Sequence, residues 1–372
     1  MNVLKKIFRG DKIIWIIYFI FCFVSIIEVF SAGSLLSYKS GNHLAHFLHH
    51  FKHVFVGFLI VVFVQRIPHQ VYKKMICIAY LPMVVCLAVL FVKGLGGHNV
   101  NDGARWLFGV QPSEFAKGLV VMLVALILSK QRIDGVSEIR TQYCMIFSGL
   151  VIFLIFPENG STACLLALVV FLMLLIGRAS KRIMLKWIGC GLLIVGVVVC
   201  AYFVAPKMVG KVRIFHRLET QIGRVDSWTE KVPAAKYVVN DKNRQHYHAM
   251  RAITTSGILG KGPGNSVERD ELSQAYSDLI FAVIVEELGL LPAAIVVLCY
   301  FWLLLRVFKI AQKCTDLFHS LLVVGLGILM VSQALFNMMV AVDLAPITGQ
   351  TLPFISRGGS SILVNCSHKP LC

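Results

Sequence analysis

A chain of 372 residues that is 57% hydrophobic and 15% charged, with a mean hydropathy of +0.77, carries more apolar surface than a soluble domain has use for. Its apolar residues fall in repeated runs near bilayer-spanning length, which excludes a soluble globular enzyme and predicts an all-α polytopic integral membrane protein. The formal charge of +17 asks for an anionic partner, and the topology below places its unexplained part outside the cytoplasm, which excludes nucleic acid.

The first run, IIWIIYFIFCFVSIIEVF at 13–30, follows a basic tail of Lys5, Lys6, Arg9 and Lys12. It is too long for a signal-peptide core and many similar segments follow, so it reads as the first span. The tract HLAHFLHHFKH at 43–53 sets His46, His49, His50 and His53 at helical spacing. No carboxylate or cysteine joins them, so an amphipathic interfacial segment is expected rather than a metal site. Further runs at 52–66, 75–93, 113–129, 143–156, 162–177, 184–205, 278–305 and 317–341 bring the expected complete spans to nine. One set of short loops holds Arg66, Lys73 and Lys74, then Lys130, Arg132 and Arg140, then Arg178, Lys181, Arg182 and Lys186, then Arg306, Lys309 and Lys313. The opposite set is sparse, which by the positive-inside rule puts the N-terminus in the cytoplasm. Nine of the eleven cysteines lie in or beside the spans and none in the outward loops, so they read as small apolar fillers.

Polarity interrupts this pattern in three places. The stretch GGHNVNDGARWLFGVQPSEFAKGLVVM at 96–122 enters a span at Pro112-Ser113, where proline suits a first helical turn. Glu114 and Lys117 lie three apart and pair on one helix face. Arg105 with Trp106 suits either an interfacial anchor or a phosphate or sugar contact. The second place is SQAYSDLIFAVIVEELGL at 273–290, with Asp278 at the outer rim and Glu286 and Glu287 roughly 12 Å deeper at ~1.5 Å per residue. An unpaired acid there costs about 2.5–3.5 kcal/mol, so the two glutamates either form structural ion pairs or serve a function. The third, DLAPITGQTLPFISRGGSS at 343–361, holds two prolines and three glycines and cannot make a regular span. Irregular backbone at membrane depth needs cover from protein or a watery cavity, so a re-entrant loop is expected, with a plain external loop as the alternative. Between these places, an outward loop at 206–277 gathers twelve basic residues, among them Arg244, Arg251, Lys261 and Arg269. Its GILGKGPGNSVERDEL segment at 257–272 lacks the P-loop order, but its successive N–H groups suit an anion nest.

These pieces together resemble the SEDS family (shape, elongation, division and sporulation), which includes FtsW and RodA. The resemblance rests on ARWLFGVQPSEFAKG, PENGS, GKGPGNSVERDELSQAYSDLIFAVIVEELG and APITGQTLPFISRGGSS, in the family's order over most of the chain. The form GKGPGNSVERD…QAYSD is closer to the division branch than to RodA. The resemblance implies one membrane domain over 1–372 with about ten transmembrane helices and a large extracytoplasmic loop at 206–277. It implies a peptidoglycan glycosyltransferase that polymerises lipid II at the outer face of the bacterial cytoplasmic membrane, at the division septum. Asp278 carries over as the essential acid, a general base that accepts the acceptor hydroxyl's proton. Arg105, Gln111, Glu114, Lys117, Lys261, Ser356, Gly358 and Gly359 are the expected substrate contacts. A class B penicillin-binding protein and other division proteins are the implied partners. No fixed cofactor is implied; a divalent cation, Mg or Mn, suits the departing pyrophosphate. A lipid II flippase, a proton-coupled transporter, an elongation-type polymerase and a non-catalytic division scaffold remain alternatives at this stage. Two departures stand out: Glu158-Asn159 where the family more often has Asp and an apolar residue, and the ending SSILVNCSHKPLC. A tenth span starting near Ser360 has too few apolar residues there, so the expectation is a chain truncated or frame-shifted after Asn365.

Overall fold

A computed structural model of the chain describes residues 8, 10–32, 43–95, 111–130, 137–157, 159–204, 223, 228, 244–272 and 277–356. Among these, the regular elements are helices, with no strand. They run α1 (Lys12–Ala32), α2 (His43–Val64), α3 (His69–Leu95), α4 (Pro112–Leu128), α5 (Glu138–Ile155) and α6 (Gly160–Ile176). After these come α7 (Lys181–Val204), α8 (Arg244–Thr254), α9 (Ile280–Leu288), α10 (Leu290–Ala311) and α11 (Leu317–Ala341). Each predicted apolar run is helical. Five stretches are long and apolar enough to cross a membrane among the described residues: Lys12–Ser31, Gln70–Val92, Glu138–Ile155, Leu290–Ala311 and Leu317–Ala341. This is a membrane protein. Its helices are apolar on nearly every face because lipid, not water, meets the side turned away from the protein. On α3 the outer residues include Ile78, Leu81 and Val92, and on α10 they include Leu298, Trp302 and Leu305.

The chain forms two compact units. The first comprises residues 1–67, 224–309 and 330–372, and the second 68–223 and 310–329. In the second unit α4 is buried almost along its whole length, packed by α3, α5 and α6. The first half of α11 approaches so closely that a Cβ on Gly325 would stand 2.6 Å from the Met173 side chain and 2.8 Å from that of Val121. Helix starts are closed by side chains: Ser137 accepts from the Arg140 N–H, and Asn159 from the Thr162 N–H. Asn159 is thus a buried cap.

In the first unit α9 rests on α8 and α1. Asp11 Oδ1 accepts from the Ile13 and Ile14 N–H groups at the start of α1, while its Oδ2 holds Arg306 at 2.8 Å. Of the histidine tract, His50 is buried with Nε2 3.0 Å from Ser25 Oγ, so one face of that helix is interior. Eight cysteines in or beside the helices form no disulfide, as fillers should.

The structure corrects the sequence reading at 278–305. That run is not one span: it breaks at Gly289 into the nine-residue α9 and the 22-residue α10. Gly289 has φ 96° and ψ 173°, outside the helical region and in the positive-φ range that favours glycine. Segment 257–262 docks against the break. Lys261 and Gly262 N–H donate to the Glu286 and Glu287 carbonyls at 2.9 and 2.8 Å, and Leu290 N–H donates to the Gly257 carbonyl at 3.2 Å. The orphan carbonyls ending one helix and the orphan N–H groups opening the next are therefore satisfied by a single loop.

Candidate functional site

Asp278 occupies a turn just before α9, half-buried, where the positive end of the helix favours a carboxylate. Ser277 Oγ donates to Asp278 Oδ1 at 2.6 Å. The backbone beneath is held from outside its own helix. Asn337 Nδ2 donates to the Asp278 carbonyl at 2.8 Å, and Ser356 Oγ donates to the Ser277 carbonyl at 2.7 Å. Around this half-exposed acid, Leu279, Ile280, Asn337 and Ser356 are buried.

At the other end of α9, Glu286 and Glu287 are completely buried and fully engaged. Glu286 accepts from Lys261 Nζ at 2.6 Å, from the Val267 N–H at 3.1 Å and from Ser266 Oγ. Glu287 accepts from the Gly264 N–H at 3.0 Å, from Arg269 Nη1 at 3.4 Å and from Ser31 Oγ. Of the two roles open to these acids, the ion-pair role is the one observed. They clamp the GKGPGNSVERD loop onto α9 and are not isolated charges within a span. Such pairs do not guarantee net stability, but removing one partner would leave an uncompensated buried charge.

The same loop changes the account of the basic excess. Arg244 pairs with Glu271 at 3.3 Å, Arg251 with Glu268 at 3.1 Å, Lys261 with Glu286 and Arg269 with Glu287. All four described members of the basic set therefore meet acids of the same unit; the other eight lie outside the described residues.

Segment 343–356 has no helical structure and is largely buried, inside the first unit. Its carbonyls are met one by one. Gln350 O accepts from Asn337 at 2.8 Å, Thr351 O from Gln333 at 3.0 Å, Pro353 O from Tyr300 and Ile355 O from Ser25 at 2.8 Å. Irregular backbone persists here because protein side chains supply the donors that a helix would have supplied internally. Phe21, Tyr300 and Phe354 stack over it, with the Phe21 and Tyr300 rings 4.3 Å apart. The described part of the expected irregular loop is thus covered by protein, as such backbone requires. Ser356 is buried, its hydroxyl accepting from the Leu352 N–H at 2.7 Å as well as serving Ser277.

In the second unit, Lys117 Nζ and Glu114 Oε1 are 2.8 Å apart and both side chains are buried, the i,i+3 pair that their spacing predicts. Gln111 precedes α4 and its Nε2 donates to Ser113 Oγ at 3.1 Å. Arg105, Glu158, Gly358 and Gly359 lie outside the described residues, as does the chain after Ser356.

Several polar residues in this arrangement escape a reading by loops and motifs: Ser25, Glu28 and Ser31 on α1, Tyr300 on α10, and Gln333 and Asn337 on α11. The signal was present as spacing. Ser25, Glu28 and Ser31 recur every three residues, and Gln333 and Asn337 are one turn apart, each marking a polar face on an apolar helix. Glu28 is fully buried, and neither of its carboxyl oxygens has a hydrogen-bond partner among the described residues.

A half-exposed carboxylate above a rigid, polar-braced interior offers one proton acceptor at a defined place, the minimum for deprotonating an incoming hydroxyl. Comparison with known proteins gives this geometry a context. The family model for cell cycle proteins of the FtsW, RodA and SpoVE type matches residues 11–371. A relative from Geobacter sp. (strain M18), named "probable peptidoglycan glycosyltransferase FtsW", is 26% identical over 374 residues, covering 98% of this chain and 96% of that one. A solved structure of a peptidoglycan synthase complex, described as coordinating polymerization and crosslinking, superimposes with a TM-score of 0.68 at 19% identity, covering 95% of this chain and 94% of that one. The crystal structure of Thermus thermophilus rod shape determining protein RodA gives a TM-score of 0.61 at 18% identity, over 95% and 93% of the two chains. Both share the fold.

Proposed function

Because the chain belongs to the FtsW/RodA/SpoVE family of cell cycle proteins, we propose that it is a peptidoglycan glycosyltransferase acting on lipid II during cell division. The relatives are named for this activity, and the observation that carries it to particular atoms is the half-exposed Asp278 on a turn braced by buried side chains. The Asp278 carboxylate takes the proton of the acceptor hydroxyl as that oxygen bonds to the anomeric carbon of the donor sugar. The bond from that carbon to undecaprenyl pyrophosphate breaks, and the pyrophosphate leaves with the electron pair. A single displacement of this kind inverts the anomeric centre.

Charge accumulates on the pyrophosphate, and cations placed to receive it lower the barrier. Arg105, Gln111, Glu114 and Lys117, together with Gly358 and Gly359, are the proposed substrate contacts. Lys261 and Ser356 complete the proposed contacts; Lys261 Nζ also pairs with Glu286, and the Ser356 hydroxyl also bonds Ser277 and Leu352. A divalent ion such as Mg or Mn would neutralise the same charge. Among the described residues no group of three His, Cys, Asp or Glu side chains stands ready to hold one; carboxylates together with the substrate's own phosphates would supply its ligands. In this reading the chain works in the cytoplasmic membrane at the septum, N-terminus inward, beside a class B penicillin-binding protein and other division proteins. A transporter reading relied on Glu286 and Glu287 as exchangeable acids; their fixed pairing with Lys261 and Arg269 removes that support.

The test is purified protein with lipid II, wild type against Asp278→Asn. Loss of glycan by about a hundredfold or more is expected, in line with general-base contributions of roughly 10²–10⁴. Equal glycan from both proteins would refute the assignment, and lipid movement without glycan would turn the reading to a flippase.

A further inference from the structure

Asn337 sits on α11 with 1% of its surface exposed, an amide in a mostly apolar helix. Both hydrogens of its Nδ2 are committed: one to the Asp278 carbonyl and one to the Gln350 carbonyl, each at 2.8 Å. Neither acceptor has a helix of its own to satisfy it. Asp278 lies in the turn before α9, and Gln350 lies in the irregular segment 343–356. One side chain therefore ties the main chain that carries the acid to the segment that covers the interior beneath it.

The neighbouring contacts sharpen this. Ser356, from the same irregular segment, holds the Ser277 carbonyl, and the Ser277 hydroxyl holds Asp278 Oδ1. The carboxylate thus has two supports, one through its own carbonyl and one through the preceding residue, and both lead to segment 343–356. Gln333, one turn earlier on α11, provides a built-in contrast. It donates to the Thr351 carbonyl at 3.0 Å and to Thr351 Oγ1 at 3.2 Å, so these bonds brace the same segment, whereas those of Asn337 reach the Asp278 main chain as well. Both amides are buried to the same degree, 2% and 1% exposed. If bracing the segment were all that Asn337 did, the two residues would be equivalent.

We propose that Asn337 is a positioning residue for the acid: by fixing the Asp278 main chain against segment 343–356, it sets where the carboxylate stands relative to the acceptor hydroxyl. The inference rests on the reading of Asp278 as general base. A base displaced by about 1 Å loses on the order of a hundredfold in rate without losing substrate affinity, because proximity enters the transition state and not the binding step.

The experiment is steady-state polymerisation of lipid II by the full chain in detergent, with thermal unfolding measured on each variant: Asn337→Ala, Asn337→Ser, Gln333→Ala and Asp278→Asn. Expected for Asn337→Ala is a kcat lower by about ten- to a hundredfold with KM within about twofold of wild type. Gln333→Ala should lower the melting temperature comparably while keeping kcat within about threefold. Asn337→Ser, which retains one donor, should fall between Asn337→Ala and wild type, and it carries the test if Asn337→Ala does not fold. The proposal is overturned if the folded Asn337 variants keep wild-type kcat while Asp278→Asn has lost it, or if Gln333→Ala loses as much kcat as Asn337→Ala. Full activity in Asp278→Asn would instead remove the base itself, a distinct failure that takes this inference with it.

Discussion

The buried Glu114–Lys117 pair shows how residue-scale chemistry separates stability from function. The two charges neutralise each other 2.8 Å apart, both out of solvent. Replacing Lys117 leaves the Glu114 carboxylate buried without this cation, which typically costs about 3–5 kcal/mol, whereas replacing both with apolar residues of similar volume is often neutral. Lys117→Met alone should therefore lower the melting temperature of the purified protein sharply, and Glu114→Leu with Lys117→Met should restore most of it. Polymerisation should remain lost in the double variant if the pair contacts substrate. A double variant with restored stability and wild-type activity would assign the pair to structure alone. The spacing of these two residues forecast their contact because three residues on a helix bring side chains to one face. Asn337 had no such local partner, and its two acceptors are 59 and 13 residues away in the chain.

At the scale of elements, the decisive feature is the docking of segment 257–262 against the α9–α10 break. Gly260 (φ 72°) and Gly289 (φ 96°) meet backbone to backbone. A Cβ on Gly260 would stand 2.3 Å from the Glu287 carbonyl oxygen, and one on Gly289 would stand 2.4 Å from the Gly260 nitrogen. Gly264 has a similar φ of 87° but open space where its Cβ would go. Alanine at 264 should cost only the conformational strain, about 1–2 kcal/mol. Alanine at 260 or 289 must also push backbone apart and should cost clearly more, read as a larger loss of melting temperature. Equal losses at all three positions would show that the docking is looser than described. The break itself had a local sign in the glycine that ends EELG, a common helix terminator, yet the continuous apolar run masks it. Only the loop that docks there shows why the chain stops one helix and starts another.

For the whole molecule, pH acts on groups at the ends of the helices. Burial holds the His246 imidazole below its ordinary 6.5, outweighing the opposite pull of Asp343 3.0 Å away. The folded protein therefore prefers the neutral ring, and the unfolded chain binds more protons. This contribution is present above about 6.5 and is lost as the pH falls from there towards the lower folded value. Burial raises Asp316, but the Phe318 N–H, Lys73 and His319 together hold it below 3.8, so its contribution is present above that value and lost only on further acidification. Melting temperature should decline between about pH 7 and pH 5, and His246→Gln should flatten that decline. An unchanged slope in the variant would place the sensitivity elsewhere.

Membrane class, helical architecture and the pairing of Glu114 with Lys117 were legible in the order of residues, because each depends on neighbours within a few turns. Apolar runs sum their preference for lipid locally, and helix faces repeat at a fixed period. The family segments also stood in plain order along the chain. Tertiary structure alone decided which donors satisfy segment 343–356, how Glu286 and Glu287 are neutralised, and what holds the turn at Asp278. Those partners, Ser25, Ser31, Lys261, Arg269, Tyr300, Gln333 and Asn337, come from separate parts of the chain. A hydrogen bond depends on distances of a few ångströms that only folding brings about, and no local period encodes them.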